Sequence, residues 1–215
     1  MVEIGDSLGR DTRAILTDMD QPLGLAVGNA LEVKEAIDTL RGHGPKDFVE
    51  LVRNAGGIML VQAGIASSIE DGMSRIDEAI NNRSGLAKLR ALIEAQGGDP
   101  TYIDDPSKFP VASNIVPIYS KGEGYIKRID SLSIGLSAMR LGAGRATMDD
   151  VIDMSSGIVL NKKVGDFVKK GDLIAYAHTN KKDISGIIID IENSFELSTE
   201  VINVAPIVHE IVQKQ

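Results

Sequence analysis

The sequence predicts an α/β protein in which a helix-rich body is followed by a β-rich C-terminal part. Three observations carry that reading. One short apolar run, Arg13 to Thr17, is followed by four consecutive segments of helical periodicity between residues 29 and 97. Prolines at 100, 106 and 110 then interrupt the pattern, and beyond Lys121 the apolar residues fall into short runs bounded by glycine. We place a partial α/β body at 1–110 and a C-terminal α/β subdomain at 121–215. Four helices after one strand do not form a simple doubly wound alternation.

Each element has its own signal. Met1 to Leu8 reads as the end of a helix with Gly9 after it, and Arg13–Thr17 as a buried strand. Residues 18–28 contain Pro22, Gly24 and Gly28 and read as a loop feeding a helix from Asn29 to Arg41. There Ala30, Val33, Ala36, Ile37 and Leu40 recur at helical spacing, and Gly42 follows. Pro45 opens a second helix, whose apolar face is expected to be interrupted at Gly56-Gly57; Ser68 and Ser84 open a third and a fourth. Beyond the prolines, 124–130, 157–160, 172–178 and 204–212 read as strands, 134–141 and 184–195 as helices, and the Gly-Asp pairs of 163–172 as turns.

Composition narrows the function classes. The 215 residues are 43% hydrophobic and 25% charged, enough apolar residue for a sizeable core. Aromatic residues are only 4%, with no Trp, so a base-stacking platform is not expected. A net charge of −8, from 31 acidic and 23 basic residues, argues against a nucleic-acid polymer as partner. No cysteine excludes disulfides and thiolate chemistry, and no apolar run reaches the roughly 20 residues of a membrane span. The expectation is a cytoplasmic protein without a membrane partner.

Most of the residues that could carry chemistry have ordinary structural readings. Asp18 and Asp20 flank a proline-containing loop and read as turn formers rather than an acid–base pair. His43, His178 and His209 lack the short spacing of a zinc site. Gly142-Ala-Gly144-Arg145 reads as a turn after a helix. Glu35 taken alone would be a solvated helix glutamate.

The run Thr17-Asp-Met-Asp-Gln-Pro-Leu-Gly-Leu-Ala-Val-Gly-Asn-Ala-Leu-Glu-Val-Lys-Glu-Ala-Ile37 closely resembles the loop-and-helix signature of pyrimidine-nucleoside and thymidine phosphorylases. Leu141–Arg145 with Asp149–Asp153, and Gly157 through His178, resemble the same family in the same order. The resemblance implies a partial α/β domain of a class II nucleoside phosphorylase, ending in a barrel-sandwich-like subdomain. It implies glycosyl transfer from a pyrimidine nucleoside to inorganic phosphate, giving free base and pentose 1-phosphate, in a homodimer. The family's phosphate- and base-holding residues match nothing here, so no catalytic or substrate-binding residue is assigned. The chain would be the C-terminal portion, inactive without its N-terminal half.

What the resemblance does assign is part of a potassium site: the carbonyls of Leu23 and Ala26 and the carboxylate of Glu35, with the other ligands supplied by the N-terminal half. Oxygen ligands suit such a hard cation. A rival resemblance, over Gly157 to Asp183, is to lipoyl and biotinyl carriers, with Lys181 as the modified lysine at a hairpin tip. Against it, Asn180-Lys-Lys-Asp183 departs from the carrier tripeptides, and the spacing after it is helical.

Overall fold

The computed structural model describes residues 1–213. In chain order the elements are α1 (Val2–Ser7), β1 (Ala14–Thr17), β2 (Ala26–Val27), α2 (Asn29–Leu40), α3 (Lys46–Gln62), α4 (Ile69–Asn81), α5 (Ser84–Ala95) and α6 (Thr101–Asp104). They continue with β3 (Asn114–Tyr119), β4 (Gly124–Ile129), α7 (Ser131–Ala138), β5 (Gly157–Leu160), β6 (Phe167–Val168), β7 (Leu173–Thr179), α8 (Ser185–Asn193), β8 (Phe195–Ser198) and β9 (Val208–Val212). The fold is α/β, and the chain divides into two compact units that are each discontinuous in sequence.

The first unit takes residues 1–18, 39–88 and the chain from 205. Its strands β1 and β9 pair antiparallel, with Ala14 opposite Val212 and Ile15 opposite Ile211. Helix α4 is capped by Ser68, whose hydroxyl accepts from Asp71 N, while Asp71 accepts from Ser67 N. The first bond satisfies an amide that the helix leaves without an internal partner, and the second fixes the residue before the cap. The gap that Gly56-Gly57 leave in the apolar face does not break the helix, and α3 runs continuously through both. These glycines admit α4 instead: a Cβ on Gly72 would lie 2.5 Å from Gly57 O and 2.7 Å from Gly57 Cα.

The second unit takes residues 19–38 and 89–204. It holds an antiparallel sheet in the order β2-β5-β7-β3 and a smaller one in the order β6-β4-β8. No closed barrel forms among the described residues. Alternation puts Ile118, Ile158, Leu160, Ala175 and Ala177 on one face of the larger sheet, and Ile126, Ile174, Ile134 of α7 and Ile191 of α8 belong to the same core. Asp130 caps α7 by accepting from Leu132 N and Ser133 N, so that helix starts before the expected Ile134. It runs into a π-helical turn, Met139–Ala143, closed by Gly142 at φ 127°.

Three further boundaries differ from expectation. The proline-marked spacer contains β3, which accepts Pro117 because it is an edge strand with one side outside the ladder. The apolar period through Phe195 spans two elements: α8 ends at Asn193 and Phe195 begins β8, because a half-buried strand residue sits where the next helical step would fall. The last strand begins at Val208 rather than Val204. Among the described residues no helix is long and apolar enough to cross a membrane.

Candidate functional site

The segment 18–28 connects β1 to α2 and folds back along that helix. Pro22 fixes one backbone angle, and Gly24, at φ 67°, turns the chain through a region that side chains disfavour. After the turn, Leu160 N donates to Leu25 O at 2.8 Å, and Ala26 and Val27 pair with Val159 and Ile158 of β5. Glu35 lies six residues, about 9 Å along the axis, from the start of α2. Its Oε1 accepts from Leu25 N at 2.8 Å and from Ala26 N at 3.1 Å.

Two of the residues that the resemblance assigns to a cation, Leu23 and Ala26, therefore lie in the turn whose amides Glu35 of α2 accepts from. Leu23 is exposed at its apex, Ala26 is buried and Glu35 is half-buried. In an extended residue the N–H and C=O point to the same side. Ala26 gives its N–H to Glu35 rather than to β5, so its carbonyl faces the carboxylate side of the strand. A Cβ on Gly24 would meet Glu35 Oε2 at 2.2 Å, which ties that glycine to the carboxylate as well as to the turn. Two carbonyls and a carboxylate are a donor set for a hard cation, and the residues fit one in chemistry.

Two residues of this site were missed in the sequence. Lys163 Nζ donates to the carbonyls of Pro22 and Gly24, the latter at 2.7 Å, and Gln21 Oε1 accepts from Val164 N at 3.0 Å. The segment after β5 thus holds the Pro22 and Gly24 carbonyls while Glu35 holds the Leu25 and Ala26 amides. Lys163-Val-Gly-Asp166 had only a turn signal, and its approach to the loop is a tertiary fact.

The start of α2 is fixed separately. Glu32 Oε1 accepts from Gly28 N at 2.8 Å, and Asn29 Nδ2 donates to Ala143 O at 2.7 Å. Nearby, Asp153 accepts from the Ser155 and Ser156 hydroxyls, each at 2.7 Å, from Ser155 N at 3.0 Å and from Asn180 Nδ2 at 2.8 Å. Burial pushes this carboxyl up, but those donors outweigh it and hold it at about 2. Burial also lowers the His178 imidazole below its ordinary value, helped by the charge of Lys34.

The remaining candidates have structural surroundings. Asp18 N donates to Ile207 O, and Asp20 O accepts from Ile129 N. His178 lies in β7, His209 in β9 and His43 between α2 and α3; among the described residues no three His, Cys, Asp or Glu are grouped for a metal. Gly142 O accepts from Asp153 N, which makes the Gly142–Gly144 segment a bonded turn. Lys181 is not at a hairpin tip. It sits between β7 and α8, and its Nζ donates to Arg140 O at 2.6 Å, so the strand after a carrier lysine is replaced here by a helix.

Comparison with known proteins agrees with this layout. Residues 125–198 match the pyrimidine nucleoside phosphorylase C-terminal domain, and residues 1–88 match the a/b domain of a glycosyl transferase family. The chain is 43% identical over 212 residues to a pyrimidine-nucleoside phosphorylase of Staphylococcus aureus (strain USA300), and 46% identical over 213 residues to that of Staphylococcus epidermidis (strain ATCC 12228). In each case 99% of this chain is covered, but only 49% of the relative. The chain spans about half the length of the curated relatives it matches.

Proposed function

Because the chain belongs to the pyrimidine-nucleoside phosphorylase family and matches its C-terminal portion, we propose that it serves as that portion of an enzyme cleaving pyrimidine nucleosides with inorganic phosphate. A phosphate oxygen forms a bond to the anomeric carbon as the bond from that carbon to the base nitrogen breaks. The base leaves with the electron pair and takes up a proton, and pentose 1-phosphate remains. Positioning and electrostatics supply most of the rate in such a transfer.

The observation that carries the reading is the fold of Thr17–Ile37, in which Glu35 reaches back ten residues to the amides of Leu25 and Ala26. In our reading Leu23 O, Ala26 O and the Glu35 carboxylate hold potassium on this chain's side of the site. The ion, when bound, supplies a fixed positive charge beside the phosphate-holding segment of the half not covered here. Glu35 orients the turn and Gly24 leaves room for its carboxylate. Inorganic phosphate and the nucleoside are ligands of the complete enzyme, which we place in the cytoplasm.

The test is base release from uridine and thymidine, with and without phosphate. We expect no turnover from the 215 residues by themselves and phosphate-dependent turnover when an N-terminal half from a relative is added. Robust turnover by the chain alone would mean that its catalytic residues have been overlooked. With both halves present, Glu35→Gln should weaken the stabilisation by potassium, and an unchanged potassium response would remove Glu35 from the site.

A further inference from the structure

The turn that carries the candidate cation ligands already has one positive charge bonded to it. Lys163 Nζ donates to Pro22 O and Gly24 O, on either side of Leu23. Pro22 and Gly24 are buried, and hydrogen bonds from a charged donor are roughly twice as strong as neutral ones. The lysine's own backbone is fixed, since its N–H donates to Asp166 Oδ2 at 2.9 Å and the neighbouring Gly165 N donates to Ile126 O at 2.8 Å. Next to it, Val164 N holds the Gln21 side chain at 3.0 Å. An ammonium on an anchored stem is therefore bonded to two carbonyls of the turn, while the Glu35 carboxylate is bonded to two of its amides.

We propose that Lys163 is a positioning residue of the cation site, a tethered ammonium that keeps the 21–26 turn wound before any mobile cation arrives. The proposal rests on the cation reading only for the ion's part in it; the hold on the turn stands on the hydrogen bonds. Physically, bringing the Pro22 and Gly24 carbonyls to one point is opposed by their mutual repulsion, which a positive charge offsets. With Lys163 taking Pro22 O and Gly24 O, the intervening Leu23 carbonyl is held in register without an ion. Cation binding then adds ligands to a turn that is already formed.

The experiment is amide hydrogen exchange on the full chain in potassium-free buffer, comparing wild type with Lys163→Met and Lys163→Arg. We expect the Leu25 and Ala26 amides, which are bonded to Glu35, to exchange on the order of tenfold faster in the Met variant. Arg, which keeps charge and donors, should recover part of that protection, and α3 and α4 should exchange at the wild-type rate in all three. Equal exchange at Leu25 and Ala26 in wild type and Lys163→Met overturns the proposal. Potassium restoring protection in the Met variant supports both the tether and the cation site; failure to restore it leaves the tether supported and removes the cation reading. Should the Met variant not fold, the wild-type Lys163 ammonium signal in a nitrogen-resolved NMR spectrum decides. Exchange with water as fast as that of the exposed Lys169 and Lys170 would overturn the proposal.

Discussion

Gly72 of the helix pair and Gly24 of the turn are both glycines at a close approach, but they let different things approach. Between α3 and α4 backbone meets backbone: Cβ atoms on Gly57 and Gly72 would lie 2.8 Å from Ile69 O and 2.5 Å from Gly57 O. At Gly24 a side-chain carboxylate meets backbone, with Glu35 Oε2 2.2 Å from where a Cβ would be. The first arrangement excludes water and gains dispersion contacts, which folding alone rewards. The second brings a carboxylate out of bulk water onto a turn, which is costly unless donors compensate it. The donors are present, as the amides of Leu25 and Ala26. The turn is therefore held by a charged acceptor where the helix pair is held by backbone packing.

The largest expected effect breaks the helix-pair side of this comparison. Gly72→Val places a branched side chain against the Gly57 backbone, which cannot swing away as a flexible side chain would. Overpacking of this kind costs about 3 kcal/mol. Urea denaturation of the full chain should show a lower midpoint. A loss too small to move the midpoint would mean that α3 and α4 separate easily and that the glycine contact is incidental.

The next effect sharpens the turn side. Glu35→Ala leaves two backbone amides without their carboxylate acceptor and should cost about 2 kcal/mol, whereas Glu35→Gln keeps an acceptor and loses the charge, for about 1 kcal/mol. Denaturation in potassium-free buffer measures both. Equal losses would mean that the charge of Glu35 adds nothing to folding and would weaken the contrast with the helix pair.

A third test asks whether a carboxylate held by donors elsewhere in the same unit behaves alike. The Asp153 carboxyl is held at about 2, below its ordinary 3.8, so between those values the unfolded chain binds more protons than the folded one. Its contribution is fully present above about pH 4 and is lost as pH falls through about 2. Asp11, Asp71, Asp99, Asp130, Asp150 and Asp183 are lowered too, so the wild-type curve alone does not isolate it. The difference between wild type and Asp153→Asn does. That difference should shrink as pH falls from 4 to 2, and a difference independent of pH there would rule out the depressed carboxyl.

What could be read in advance follows from how local each signal is. Helices α2 and α5 were legible because apolar spacing and a following glycine act within a few residues, and the start of α4 because Ser68 is a local cap. Strand β3 was not, because Pro117 normally argues against a strand and only the sheet order shows that it lies on an edge. Gly56-Gly57 was legible as a gap in the apolar face of α3 but not as a helix crossing, because Gly72, the partner at that crossing, lies fifteen residues on. At the site, Leu23, Ala26 and Glu35 were found through a contiguous resemblance rather than through periodicity. Lys163 and Gln21 went unseen because their bonds join segments about 140 residues apart.

The smallest effect returns to the helix pair, where one charged contact joins α3 to α4. Arg53 Nη2 donates to Asp77 Oδ2 at 2.8 Å, and Nε lies 2.7 Å from Oδ1, giving a two-pronged pair. The second prong is poor, since the buried Nε makes no well-directed hydrogen bond despite its distance. The two side chains are 35% and 38% exposed, so water screens the attraction and ordering a long arginine offsets part of it. A double-mutant cycle with Arg53→Met and Asp77→Asn isolates the interaction, Met keeping most of the apolar stem that packs along the helix. We expect a coupling of about 0.5 kcal/mol, reduced in high salt. If the coupling instead reached about 2 kcal/mol, the pair would rank with Glu35 as a structural charge, and the helix pair would no longer be the region held chiefly by backbone packing.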